Sequence, residues 1–276
     1  MSVVQWVKQL FVVRGAPLTV PDPIIFYIVF ASALVFTILY QLCDPMMKKM
    51  FPNSYGKLDE DHRIEWNSRI LSNVHAIVVV IYCVYIIFNS SCTEKYLHDI
   101  DVIYGCEHSL YVLSISLGYF LYDTVIILMN YNQLGGASMM FHHISSIACI
   151  CILNSYRQFT LIPLSYCLTE ITTPFVNQRF FFDKAEKKNS KRYTFNGLLM
   201  WLGFVLFRCT MIPLSVYIVY TKYDVMREKM PIFLRYCLYA QVINISVLNL
   251  FWTYKITMGI VSTLIKRSKH TKTKSQ

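Results

Sequence analysis

Long apolar stretches recur along the chain and are separated by short polar connections. Seven of them are close to the roughly 20 residues that a helix needs to cross the hydrocarbon of a bilayer. Their apolar residues are contiguous and do not alternate with polar ones, as they would in a membrane barrel. The sequence therefore predicts an all-α polytopic membrane protein with about seven transmembrane helices. The predicted spans are 24–42, 68–88, 109–129, 138–154, 158–177, 196–219 and 234–258.

The fourth and fifth predicted spans are short, and only Ser155, Tyr156 and Arg157 separate them. This spacing predicts a tight helical hairpin. Because both stretches lie near the lower length limit for a span, a count of six, in which one of them is fused or lost, remains an alternative.

The composition agrees with a membrane protein, since 55% of residues are hydrophobic and only 15% are charged. The net charge of +10 reflects 26 Lys and Arg against 16 Asp and Glu. In a membrane protein such an excess belongs to cytosolic loops, and it does not indicate a nucleic-acid partner. With seven spans, the connections on one side carry 16 Lys and Arg and those on the other side carry 8. This bias predicts a cytosolic C-terminus and a lumenal N-terminus.

The basic C-terminal tail offers a candidate sorting signal. Lys272 and Lys274 have the spacing of the dilysine retrieval signal of endoplasmic-reticulum membrane proteins, which cytosolic coat proteins recognise. The alternative is a basic tail that is attracted to anionic lipid headgroups. We expect a protein of the endoplasmic-reticulum membrane, with coat proteins as a possible partner of the tail; the sequence gives no indication of its oligomeric state.

Two of the nine cysteines, Cys92 and Cys106, fall in the predicted lumenal loop 89–108. The lumen permits disulfides, so a Cys92–Cys106 bridge is plausible. The other cysteines fall mostly in predicted spans, where cysteine acts as a small apolar residue.

Polar side chains recur at helical spacing within five of the predicted spans, which places them on single helix faces. Ionisable groups in a span are costly and usually face the interior of the bundle. Several of these ionisable side chains fall at a similar depth in the cytosolic half of the bilayer, which predicts a polar chamber near the cytosol. The alternative is purely structural: Asp123 or Glu170 pairs with Arg208 to hold helices together. The predicted cavity residues are Asp123, Glu170, Arg208, His75 and Asn177.

The adjacent His142 and His143 are the sharpest chemical feature. Neighbours on a helix point about 100° apart, so they do not readily chelate one metal, and no metal site is predicted. A buried neutral imidazole can act as a general base or a nucleophile, and Asp123 or Glu170 could orient it. This arrangement suits acyl transfer from a thioester to an amine or hydroxyl. No cofactor is predicted, because acyl-coenzyme A would be a substrate.

Three segments carry a resemblance to a known family. Met139-Met140-Phe141-His142-His143-Ile144 resembles the core of the TLC domain. The segments Glu65-Trp66-Asn67-Ser68-Arg69 and Pro174-Phe175-Val176-Asn177-Gln178-Arg179-Phe180-Phe181 resemble more specifically the TLC domain-containing protein 4 group. The resemblance implies a TLC-type barrel of six helices over 61–265. It leaves an N-terminal segment, 1–60, with the first transmembrane helix, and a basic cytosolic tail, 266–276.

The resemblance also implies a role in membrane lipid homeostasis. In ceramide synthases the paired histidines act in acyl transfer, and a histidine–aspartate pair and a second aspartate follow. Here Glu170 stands for the first acid, whereas Thr169 and Thr173 replace the histidine and the second aspartate. Two hypotheses remain: a protein that binds or regulates lipids, and an acyl-coenzyme A-dependent lipid acyltransferase that uses His142 or His143.

Overall fold

A computed structural model describes residues 22–89, 91–92, 106–134 and 136–274, with side chains described up to residue 263. Helices dominate this part of the chain, and it contains no β-strand. The prediction of an all-α polytopic membrane protein is confirmed.

Six continuous helical segments of the described chain are long and apolar enough to cross a membrane. They are α1 (Pro23–Met50), α2 (Glu60–Phe88), α3 (Glu107–Met129), α4 (Ala137–Tyr156), the segment Lys191–Thr221 and the first part of α10 (Ile232–Lys274). Within Lys191–Thr221, α7 (Lys191–Gly203) and α8 (Met211–Thr221) flank a π-helical stretch, Phe204–Cys209. Shorter helices are Tyr55–Lys57, Tyr131–Leu134 and α9 (Tyr223–Lys229).

The fifth predicted span, 158–177, is not a single α-helix. The segment consists of α5 (Leu161–Leu168), a 3-10 turn over Thr169–Thr172 and α6 (Thr173–Lys184). Pro174 explains the break, because it has no N–H to donate to the carbonyl of residue 170, one helical turn earlier. No one of these pieces is long enough to be counted as a span.

The broken segment nevertheless runs the length of α2. Near one end, the Cys83 thiol donates to the carbonyl of Leu164. Near the other end, the rings of Trp66 and Phe181 lie 4.6 Å apart. The broken segment and α2 therefore run antiparallel over roughly 25 Å of helix, which is most of the hydrocarbon thickness.

A second interruption lies in the segment Lys191–Thr221. The π-helical stretch Phe204–Cys209 ends four residues before Pro213, which lies in α8. Proline leaves the carbonyl one turn before it without its usual partner, which favours a widened turn at this point. The π-helical stretch includes Arg208, which faces the inside of the bundle.

The first helix, α1, packs mainly against α3. The closest approach is at Gly118, where a Cβ atom would lie 2.4 Å from the carbonyl oxygen of Val29 and 2.6 Å from Ser32 Cβ. Ser32 also donates a hydrogen bond to the carbonyl of Ile115. Much of the remaining surface of α1 is exposed and apolar, as expected of a helix that faces lipid.

Hydrogen bonds and one disulfide define the two ends of the bundle. At the first end, Gln133 donates to Asp61, which joins the α3–α4 connection to the start of α2. The ends of α6 and α10 and the start of α7 lie on this side too. At the opposite end, a disulfide joins Cys92 to Cys106, the pair that the sequence singles out.

The last helix, α10, continues to Lys274 and so includes residues 266–274 of the predicted tail. Lys272 and Lys274 lie beyond the residues whose side chains are described, and their role as a retrieval signal stays a prediction.

Candidate functional site

A cavity of about 520 Å³ lies between the helices at the end of the bundle where α2 begins. Exposed or half-buried polar side chains, among them Glu65, Arg69, Gln133 and Lys255, line its mouth. On the predicted orientation this end is cytosolic. The predicted cavity residues His75, Asp123, His142, His143, Glu170, Asn177 and Arg208 all line this cavity.

A second, narrower pocket of about 80 Å³ lies deeper in the bundle, and most of its wall is apolar. Its lining includes aliphatic side chains, such as Leu113, Ile150 and Leu238. Five residues line both spaces and so form the junction between them: His75, Phe120, His142, Glu170 and Arg208. The larger cavity, called here the polar chamber, and the smaller apolar pocket are therefore neighbours, separated by these five side chains.

The two neighbouring histidines have different surroundings. His143 is buried, with Nε2 2.9 Å from Asp123 Oδ2 and Nδ1 3.0 Å from the carbonyl oxygen of Met139. A carbonyl only accepts, so Nδ1 carries a proton. Asp123 and His143 must then share a further proton, either as carboxylate and imidazolium or as acid and neutral imidazole. Both nitrogens are therefore occupied, and His143 has no free position for a substrate.

His142, in contrast, has a free ring nitrogen. Its Nδ1 is buried and makes no hydrogen bond within the described part of the chain. Aromatic rings hold the imidazole in place, because Phe120 and Trp252 pack against it edge-on at centroid distances of 5.7 and 5.6 Å. His142 is therefore the histidine of the pair that can act on, or bind, a molecule in the cavity.

Neither predicted carboxylate orients His142 through a hydrogen bond. Asp123 is bound to His143, and Ser68 also donates to it at 3.4 Å. Glu170 Oε2 accepts a hydrogen bond of 2.6 Å from Thr173. Asp123 therefore orients His143, whereas neither carboxylate orients His142, the histidine with the free nitrogen.

Arg208 is not paired with a carboxylate among the described residues. Its Nε donates to Thr172 Oγ1 at 2.7 Å, and its guanidinium lies 4.7 Å from the ring centroid of Phe204 and 5.8 Å from that of Trp252. Glu170 and Arg208 line the same junction without an ion pair between them. No described carboxylate lies within ion-pair distance of Arg208, although Glu170 is close enough for an electrostatic interaction with it.

Two further predicted residues support the wall of the chamber. His75 stacks on Tyr119 with ring centroids 4.0 Å apart, and its Nε2 lies 3.3 Å from Ser116 Oγ. Asn177 accepts a hydrogen bond from Arg69 and donates to Ser72 and to other polar atoms of α2. Asn177 therefore fastens α6 to α2 beside the mouth.

Several residues of the site were not predicted from the sequence. Arg69 donates from Nε and Nη2 to one oxygen of Glu65, Oε1, at 3.0 and 2.7 Å, and it lies in one of the segments that carry the resemblance. Trp252 contacts both His142 and Arg208, but an aromatic residue in an apolar span gives no sequence signal. The basic segment 178–195 contributes none of its charged side chains to the cavity wall.

The fold and the cavity together define a polytopic α-helical membrane protein with a chamber enclosed by its spans. The TLC domain matches residues 65–258, and the chain belongs to this family. The first helix, α1, lies outside the matched region.

Curated relatives extend the similarity over most of the chain. TLC domain-containing protein 4-B of Danio rerio is 27% identical over 259 residues, which cover 91% of this chain and 94% of the relative. TLC domain-containing protein 4 of Homo sapiens is 28% identical over 238 residues, covering 84% and 88%. TLC domain-containing protein 4 A of Dictyostelium discoideum is 27% identical over 241 residues, covering 86% and 90%.

Proposed function

We propose that the protein binds a membrane lipid in its interior and acts in membrane lipid homeostasis, as a binding or regulatory protein. The observation that supports this most directly is that the polar chamber and the apolar pocket lie side by side and share five lining residues. Ligand sites are typically concave and mostly apolar, with a few polar groups that fix orientation. A lipid has the same division into a polar head and an apolar chain.

The proposal includes a location in the endoplasmic-reticulum membrane with the C-terminus in the cytosol. The distribution of Lys and Arg supports the orientation. The mouth of the chamber would then face the cytosol, and a cytosolic factor could reach its polar residues.

The binding proposal can be tested by extracting and identifying the lipids that copurify with the protein. Cys149→Trp places a large ring in the apolar pocket, whereas Cys151→Trp, two residues along the same helix, places the same ring on the exposed surface. We expect Cys149→Trp to lose the copurifying lipid and Cys151→Trp to retain it. Ile245→Phe, a second variant that fills the same pocket, replaces Cys149→Trp if that variant does not fold.

Retention of the same lipid by both folded filled-pocket variants would overturn the proposal, because a lipid bound only to the outer surface does not depend on the interior. Thermal unfolding of each variant establishes that it is folded before its lipids are compared.

A second candidate, an acyl-coenzyme A-dependent lipid acyltransferase, is favoured by the free Nδ1 of His142. His142 would take a proton from the acceptor while the acceptor oxygen or nitrogen bonds to the thioester carbonyl carbon. The carbon–sulfur bond would then break, and coenzyme A would leave as the thiol with that proton. We prefer binding, because segment 178–195 adds no Lys or Arg to the cavity wall and, of the basic residues at the mouth, Arg69 is bound to Glu65 and Lys255 packs over Phe251.

Lipidomics of membranes with wild type, His142→Gln or no added protein separates the two candidates. The single substitution is preferable to a double histidine variant, because His143 also holds Asp123. An acyltransferase would raise a class of N- or O-acyl lipids with wild type only. A binding protein would change the lipid profile equally with wild type and His142→Gln.

A further inference from the structure

Arg208 is the most unusual residue of the cavity. Only 7% of it is exposed, and it lies in the interior of a membrane-spanning segment, Lys191–Thr221. A cation in a medium of low polarity carries a large desolvation cost unless a counter-charge or hydrogen-bond acceptors compensate for it. The partners of Arg208 therefore indicate what else the site is built to hold.

The protein satisfies only one edge of the guanidinium. Nε donates to Thr172, whereas no hydrogen bond or ion pair reaches the two terminal nitrogens from any described residue. Phe204 and Trp252 pack against the flat group and restrict its orientation. The two terminal nitrogens carry four N–H donors, and an arginine fork of this kind matches the two oxygens of a carboxylate or phosphate.

The neighbouring carboxylates do not bind the two terminal nitrogens of Arg208. Asp123 is bound to His143 at 2.9 Å. Glu170, the other carboxylate of the junction, accepts from Thr173 and interacts electrostatically with Arg208, but no ion pair joins the two side chains. The π-helical stretch Phe204–Cys209 places Arg208 where the polar chamber meets the apolar pocket, and π-helical turns are frequent at functional sites.

We propose that Arg208 binds the oxyanion, a carboxylate or a phosphate, of a single-chain amphiphile whose hydrocarbon enters the apolar pocket. This rests on the proposed function and names its ligand class. The oxyanion supplies a counter-charge in direct contact with the terminal nitrogens, which Glu170 does not reach, and the apolar pocket beyond the junction receives the adjoining part of the chain. Glu170 opposes the anion, so it limits affinity and is expected to select against ligands of higher negative charge.

The test measures equilibrium binding of three radiolabelled probes to the purified full-length protein in a non-ionic detergent. Palmitate carries a carboxylate, 1-palmitoyl lysophosphatidate carries a phosphate, and hexadecanol has a similar chain without a charge. The variants are Arg208→Gln, Arg208→Lys and Glu170→Gln. Arg179→Gln is the matched control, because Arg179 stacks on Tyr193 at 4.1 Å and does not line the cavity.

We expect wild type and Arg179→Gln to bind an anionic probe roughly tenfold to a hundredfold more tightly than hexadecanol, from the strength of charge-assisted hydrogen bonds. Arg208→Gln should remove this preference and leave hexadecanol binding unchanged, which also demonstrates that the variant is folded. Arg208→Lys should retain part of the preference, and Glu170→Gln should increase it. The better anionic probe identifies carboxylate or phosphate as the natural head.

Equal binding of charged and uncharged probes by wild type, or an undiminished preference in Arg208→Gln, would overturn the assignment of Arg208 while the lipid-binding function stands. Failure of wild type to bind any of the three probes, together with the absence of a copurifying lipid, would instead count against the proposed function itself.

Discussion

The imidazole of His143 is held between Asp123 Oδ2, 2.9 Å from Nε2, and the carbonyl of Met139, 3.0 Å from Nδ1. Because both partners are acceptors in their usual states, Asp123 and His143 together hold one proton more than a carboxylate and a neutral imidazole do. The contact joins α3 to α4 inside the bundle. Its role is therefore to position the neighbouring His142 and to hold two spans together.

Removal of Asp123 should destabilise the protein strongly. Asp123→Ala leaves a buried imidazole nitrogen without its acceptor, and loss of one partner from a buried pair typically costs about 3–5 kcal/mol. We expect a clear fall in the thermal unfolding midpoint in detergent. The control is Asp183→Ala, which removes an exposed pair with Lys188 and should change the midpoint little.

A double-mutant cycle sharpens this prediction. The double variant Asp123→Leu, His143→Leu replaces both polar groups with apolar ones. Its loss of stability should therefore be smaller than the sum of the losses in Asp123→Leu and His143→Leu. Strict additivity would mean that the two side chains do not interact as the geometry indicates.

The contact between α1 and α3 should be very sensitive to size at Gly118. Gly118→Ala places a methyl group 2.4 Å from a backbone oxygen of α1, so the two helices must separate. Overpacking of this kind typically costs about 1–3 kcal/mol. Gly259→Ala is the matched control, because it lies on an exposed face of α10 with no atom within 4 Å.

The two glycine variants are predicted to have opposite effects on the thermal unfolding midpoint. Gly259→Ala should raise it slightly, since alanine favours a helix over glycine by up to about 1 kcal/mol. A Gly118→Ala variant as stable as wild type would show that α1 is not held by this close approach.

The sequence predicted six of the spans because their apolar runs are long and uninterrupted. It did not predict the break in the fifth, although Pro174 lies inside the predicted range, because hydropathy averages over a window and ignores the missing N–H of proline. The same applies to the π-helical stretch before Pro213. Local backbone hydrogen bonding, and not polarity, decides these two features.

The polar cavity was predictable because ionisable residues in spans seldom face lipid. The partners within it were not, since pairing depends on how helices are rotated against one another. Asp123 and Glu170 looked equivalent as partners of Arg208, yet one binds His143 and the other Thr173. Trp252, which holds both His142 and Arg208, was missed because an aromatic residue does not stand out in an apolar helix.

The N-terminal cap of α2 should depend on pH. The Asp59 side chain accepts a hydrogen bond from the backbone N–H of His62 at 2.9 Å, and this bond lowers the pKa of Asp59 below its usual 3.8. A carboxyl whose pKa is lower in the folded state stabilises the fold above its unfolded pKa, and the benefit is lost as the pH falls through the folded pKa.

The measurement is the difference in thermal unfolding midpoint between wild type and Asp59→Ala as the pH is lowered. We expect a constant advantage for wild type near neutral pH, and a decline once the pH falls below about 3.8, the usual pKa of the carboxyl. Asp59→Asn supplies an uncharged cap, so its midpoint advantage over Asp59→Ala should not decline at low pH. If wild type and Asp59→Asn lost their advantage over Asp59→Ala in parallel, the carboxylate would not be the cause.

The mouth of the chamber should face the cytosol. The connection between α6 and α7 lies at the mouth end, because α6 is fastened to α2 there through Asn177 and Arg69. The turn between α8 and α9, at Lys222, lies at the other end of the segment that begins with α7.

An epitope inserted after Lys187 should therefore be accessible to antibody when only the plasma membrane is permeabilised, whereas one inserted after Lys222 should require permeabilisation of internal membranes. The physical reason is the twofold excess of Lys and Arg on the mouth side, since basic connections are retained in the cytosol. The reverse pattern of accessibility would place Arg208 and His142 in a chamber open to the lumen, where acyl-coenzyme A and cytosolic factors could not enter through the mouth.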